Sequence, residues 1–193
     1  MNQSSIYRLD FLKNKKIEFN ETPGASYQDT GFFYQVQMLA TSMYFLNEAF
    51  YCYRLDNANS SVHDKTKAFA ICDEFDFIEA FLDKNKSLKE LFQKAFVYKK
   101  FTTYLWNFKR IDRAFQMPFL TRFENEFKII EAQNKLDFTF FSEVRKKELS
   151  LLLLSKEKFY EKYLEGLSFL GIIKKILYRQ FKKFRGRHYA SRT

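Results

Sequence analysis

Residues able to do chemistry are concentrated in two strings: TPGASYQDTGFF at 22–33, which sets Gln28 beside Asp29, and YCYRLDNANSSV at 51–62, where Arg54 precedes Asn57, Ser60 and Ser61. A carboxylate such as Asp29 can accept a proton, but Asp is also among the best helix caps, and the spacing predicts a helix started by Asp29 at Thr30. A guanidinium with short hydrogen-bonding side chains can neutralise an anion, whereas the same residues also make an Asn/Ser-rich turn held by local bonds. Residue types alone leave both pairs of alternatives open. Other chemistries fall away. His63 and His188 are far apart and lack Cys, Asp or Glu at ligand spacing, so no metal site is expected. The glycines at 24, 31, 166, 171 and 186 fit neither a phosphate-binding loop nor a nucleophile elbow. Two cysteines, Cys52 and Cys72, make no disulfide framework.

The elements that must position these residues are expected to be helices. Five glycines and two prolines among 193 residues leave few turns. Twenty-five Phe and a hydrophobic fraction of 46 % exclude a disordered chain. Residues 4–16 read as a short helix, 21–26 as a turn around the Pro-Gly pair, and 30–40 as a second helix. The Tyr- and Phe-rich stretches 42–46 and 49–55, separated by Asn47-Glu48, read as a β-hairpin or two short strands. After a polar loop at 56–61, a helix starting at Asp64 places Ala68, Ile71, Cys72, Phe75, Ile78 and Leu82 on one face. Asp73, Glu74 and Asp76 in that helix read as a solvated face. The period continues through Leu88, Leu91, Phe92, Ala95, Tyr98, Thr102, Leu105 and Phe108. It resumes after Pro118 with Phe119, Leu120, Phe123, Phe127 and Ile130, and a further helix is expected after Ser142. The expected fold class is therefore mainly α, an α+β arrangement with a short β-hairpin near residues 42–55 within a helical array, ending in a basic amphipathic helix.

The net charge is +10, of which residues 156–193 hold +8 from 11 basic and three acidic side chains. On a helical wheel over 169–185, Phe169, Leu170, Ile172, Ile173, Ile176, Leu177, Phe181 and Phe184 cluster opposite Lys174, Lys175, Arg179, Lys182 and Arg185, with Lys183 near the apolar edge. Such a helix suits an anionic membrane surface. A terminal helix packed on its own core, or a nucleic-acid contact, would give the same composition, although no base-reading module accompanies it and no nucleic-acid partner is expected. No apolar run, 151–154 among them, is long enough to span a bilayer, and no apolar export signal follows Met1. The expected location is cytoplasmic, peripheral to the inner face of the plasma membrane.

The order of the strings resembles one branch of the bacterial family 2 glycosyltransferases, GT-A enzymes that move a sugar from a nucleotide diphosphate donor. The resemblance runs through residues 6–12, 17–32 (ending in ETPGASYQDTGF), 53–62 (YRLDNANSSV) and 72–74 (CDE), and covers about 5–165. It implies that 1–62 is the acceptor-side end of a catalytic domain, 63–155 a helical extension and 156–193 the basic C-terminal helix. It also implies that Asp29 is the general base of an inverting transfer, with Gln28 where the family often has Glu. Arg54, Asn57, Ser60 and Ser61 would then lie near the donor diphosphate. The nucleotide-binding half with its Asp-x-Asp motif is not in this sequence, so a divalent metal, Mg or Mn, is expected only with that half. The expected substrates of the complete enzyme are a nucleotide sugar and a glycan or lipid-linked acceptor, in cell-surface polysaccharide synthesis. The alternative is a non-catalytic helical module binding an anionic membrane or acidic partner through its C-terminus.

Overall fold

A computed structural model describes residues 4–22, 26–52 and 67–167. Among them the chain forms α1 (Leu9–Lys15), α2 (Gln28–Leu39), α3 (Ala70–Lys84), α4 (Lys86–Arg110), α5 (Arg113–Ala132), a 3-10 turn at Phe138–Phe140, α6 (Glu143–Leu154) and α7 (Lys156–Leu167). The helices fall into two units, Met1–Phe141 and Ser142–Thr193. No helix among the described residues is long and apolar enough to cross a membrane. Of the basic C-terminal helix expected over 156–193, residues 156–167 form α7, and the amphipathic stretch 169–185 lies outside the described residues.

The β-hairpin expected near 42–55 is corrected. Residues 42–52 take up neither strand nor helix, and the described residues are helical wherever they are regular. The strand signal came from Tyr and Phe, which favour strands because a pleated surface lets them pack on neighbours. Here Tyr44 and Phe45 are 88 % and 84 % exposed, so nothing among the described residues supplies that packing, and a lone two-stranded ribbon is marginal in water.

In the first unit α3 packs between α2 and α4, and α4 packs on α5 and the 3-10 turn. The positions marked by spacing, from Ala68 to Leu82, are all buried, although α3 begins at Ala70 and not at Asp64; Phe119, Leu120, Phe123, Phe127 and Ile130 of α5 are buried too. The Phe content is used here. Tyr104 of α4 meets Phe75, Phe119 and Phe123 at centroid distances of 5.6, 5.5 and 5.3 Å, and Phe101 meets Phe123, Phe127 and Phe141 at 5.6, 5.7 and 5.5 Å. Tilted and edge-on pairs of this kind add to simple area burial.

Two helix readings shift. The buried face of α4 is Phe96, Val97, Phe101, Tyr104, Leu105 and Phe108, whereas Leu91 is 71 % exposed, because the first turns of α4 extend past the core. Helix α5 starts at Arg113, five residues before Pro118, with the Asp112 side chain accepting the Ala114 N–H at 3.0 Å. Pro118 lies inside it, where burial of Phe119 and Leu120 offsets one missing hydrogen bond.

Between α3, α4 and α5 an ionic group is built around the buried Lys100. Lys100 Nζ reaches Glu126 Oε2 at 2.9 Å and Glu79 Oε2 at 3.4 Å, while Arg122 Nε binds Glu126 Oε1 and Arg122 Nη2 binds Asp76 Oδ2, both at 2.6 Å. Burial pushes the Glu126 carboxyl up, but Lys100 and Arg122 outweigh it and hold the group below its ordinary value. In the second unit Ser142 caps α6 through the Arg145 N–H, α6 packs on α7, and Leu149, Leu152 and Phe159 are buried.

Candidate functional site

Asp29 stands in the first turn of α2, two positions past the cap expected of it. The cap position falls to Tyr27, whose φ of 66° puts a non-glycine residue in the left-handed region. That conformation costs about 1–3 kcal/mol and persists only where its surroundings enforce it. They do so here. The Tyr27 hydroxyl donates to Asn107 Oδ1 at 3.3 Å, its ring lies edge-on to Trp106 at 6.2 Å, and the Arg110 guanidinium sits 5.4 Å from the Tyr27 centroid and 5.0 Å from that of Trp106. Trp106 remains half-exposed.

The residues flanking Asp29 are tied down individually. Gln28 Nε2 donates to Thr22 O at 2.7 Å and Thr22 Oγ1 at 3.2 Å, which joins the two sides of the 22–28 turn. Gln28 is therefore engaged as a strut of this turn. Two residues past Asp29, the Gly31 N–H donates to Glu74 Oε2 at 3.0 Å. One turn further, Gln35 Nε2 donates to Glu18 O at 2.7 Å and ties α2 to the strand-free segment before it. Asp29 itself is exposed on this braced turn.

Glu74 is the functional-site residue that sequence reasoning missed. Asp73 and Asp76 beside it are about half-exposed and pair with Arg122, as a solvated face would, but Glu74 is 1 % exposed. Burial pushes its carboxyl up to about 7, the charges of Asp29 and Asp73 add to the rise, and hydrogen bonds from Asn20 and Gly31 oppose it. A signal existed. Glu74 lies three residues after Ile71 and four before Ile78, on the apolar stripe itself. Asn107 was missed in the same way, three residues after Tyr104 on the buried face of α4.

Gln28 and Asp29 are thus brought together with Tyr27, Glu74, Trp106 and Asn107. Arg54, Asn57, Ser60 and Ser61, expected at a diphosphate, lie outside the described residues, as do Lys174, Lys175, Arg179, Lys182, Lys183 and Arg185, expected at a membrane. A cleft lined by Glu90, Lys94, Lys135 and Asp137 contains none of the expected site residues. No group of three or more His, Cys, Asp or Glu side chains among the described residues is arranged to hold a metal ion. No family model, curated protein or solved structure matches the chain. What the arrangement offers chemically is one accessible carboxylate, on a helix N-terminal turn whose backbone is braced on both sides.

Proposed function

We propose that this chain is the acceptor-side, C-terminal portion of an inverting glycosyltransferase of the family 2 type, acting at the cytoplasmic membrane face. The observation that supports it most is the bracing of the turn that bears Asp29. Tyr27, Gln28 and Gly31 each bond to a different partner, which leaves the intervening carboxylate exposed at a fixed position. In this reading the Asp29 carboxylate takes the proton from an acceptor hydroxyl as its oxygen attacks the anomeric carbon of a nucleotide sugar. The bond from that carbon to the diphosphate oxygen breaks with inversion, and the nucleoside diphosphate leaves with the electron pair. A general base at hydrogen-bond distance contributes about 10²–10⁴-fold.

Arg54, Asn57, Ser60 and Ser61 are proposed at the leaving diphosphate from the sequence alone, since a guanidinium and short donors suit that charge. Among the described residues no group of His, Cys, Asp or Glu suits a divalent metal. The exposed apolar strip Met43, Tyr44, Phe45, Leu46, Phe50 and Tyr51 is consistent with a nucleotide-binding half covering it, because contiguous apolar surface of this kind marks interaction sites.

The test is Asp29→Asn in the complete enzyme, with turnover read as nucleoside diphosphate released from UDP- and GDP-sugars. Turnover is expected to fall by about 10²-fold or more with donor binding kept. Retained turnover removes the base assignment. A second reading, a non-catalytic helical module that binds an anionic surface, is favoured by the +8 charge of residues 156–193 and is separated by the vesicle experiment below.

A further inference from the structure

Under the turn that bears Asp29 lies a carboxyl whose bonds are incompletely made. Glu74 is 1 % exposed, its Oε2 accepts the Gly31 N–H at 3.0 Å, and its Oε1 is buried with no hydrogen-bond partner. The space around it is full. A methyl group on residue 31 would stand 2.5 Å from Oε2 and 3.0 Å from the Phe77 ring, so glycine is what lets the α2 backbone reach this carboxyl. The charges that face Glu74 are Asp29 from α2 and Asp73 from its own helix, both negative, with the Asn20 amide as a neutral donor. Tyr34 of α2 is turned to Phe75, and α4, the other helix packed on α3, directs its buried Lys100 to Glu79 and Glu126.

We propose that Glu74 is the positioning residue of Asp29: it caps the first turn of α2 from the neighbouring helix and, by gaining or losing a proton, changes the charge beside which Asp29 works. The proposal rests on the reading of Asp29 as the base. With Glu74 neutral, the turn is held by a buried acid that carries no charge. With Glu74 ionised, the Gly31 N–H meets a full negative charge, and a second anion close to Asp29 makes removal of a proton from the acceptor easier. The burial that pushes Glu74 up to about 7 puts this change within the range in which a cytoplasmic enzyme works. No covalent chemistry is involved. One proton passes between the Glu74 carboxyl and solvent.

The experiment follows the Gly31 amide by proton–nitrogen NMR in the 193-residue chain from pH 5 to 9, in wild type, Glu74→Gln, Glu74→Ala and Asp29→Asn. In wild type the amide is expected to titrate with a midpoint near 7. Asp29→Asn should lower that midpoint, since one facing charge is gone. Glu74→Gln should abolish the titration and keep the amide protected from exchange, because its carbonyl still accepts. Glu74→Ala should speed exchange by about tenfold or more. If Glu74→Ala does not fold, the other two variants carry the test. A Gly31 amide that does not titrate, or a midpoint unmoved by Asp29→Asn, overturns the proposal. Turnover in the complete enzyme separates this failure from that of the underlying reading. Activity rising through pH 7 in wild type and flat in Glu74→Gln supports the positioning role. Activity lost in Asp29→Asn with an identical pH profile in wild type and Glu74→Gln overturns the role of Glu74 alone. Activity retained in Asp29→Asn overturns both.

Discussion

Glu74 makes folding proton-linked. Its carboxyl is raised from 4.5 to about 7 in the folded chain, so between those pH values the folded state holds a proton that the unfolded state has released. Its favourable contribution is complete below the unfolded value and is lost as pH rises through about 7, a difference on the order of 3 kcal/mol. Urea denaturation at pH 5 and pH 8 should show wild type losing more stability than Glu74→Gln over that interval, and equal losses would exclude the linkage. Gly31 gives a second residue-scale prediction. Gly31→Ala would force the buried Glu74 carboxyl and the Phe77 ring to shift, and the expected loss of about 1–3 kcal/mol is measurable in the same denaturation assay. Neither role is legible in the sequence. Gly31 fits no glycine motif, and Glu74, although it falls on an apolar stripe, reads with Asp73 and Asp76 as a solvated face, because a charged letter reads as surface unless its partner on another helix is known.

Among the elements, α3 and α5 were legible because their inward positions are almost all apolar, so period and burial coincide. In α4 the inward face includes Lys100 and Asn107, satisfied by Glu126 on α5 and by the backbone oxygen of Ala68. Those partners are remote in sequence, so the apolar signal of α4 is broken where it meets them. The 42–52 segment failed for the opposite reason. Its side chains favour strands, and among the described residues no neighbouring surface buries Tyr44, Phe45 or Phe50. Helix α5 yields a prediction at this scale. Asp112 accepts the Ala114 N–H and is the start signal that the proline obscured. Asp112→Ala should cost about 1 kcal/mol by thermal or urea denaturation, with the folded spectrum kept, whereas a change below ~0.3 kcal/mol would mean that packing alone fixes this helix start.

At the scale of the whole molecule, charge is unevenly placed, with +8 of the +10 in residues 156–193. Removing residues 168–193 is expected to abolish co-sedimentation with vesicles containing phosphatidylglycerol and to leave binding to neutral vesicles unchanged. Binding by the full chain should also weaken with salt, since polybasic attraction is screened within a Debye length. Equal sedimentation of the two chains would remove the membrane role of this tail. Asn107, finally, has a consequence for how such chains can diversify. One side-chain amide accepts from Tyr27 at the start of the site helix and donates to Ala68 just before α3, so both ends of the intervening connection refer to the same point on α4. A change at residue 107 would therefore be felt at two places at once, at the start of the site helix and just before α3.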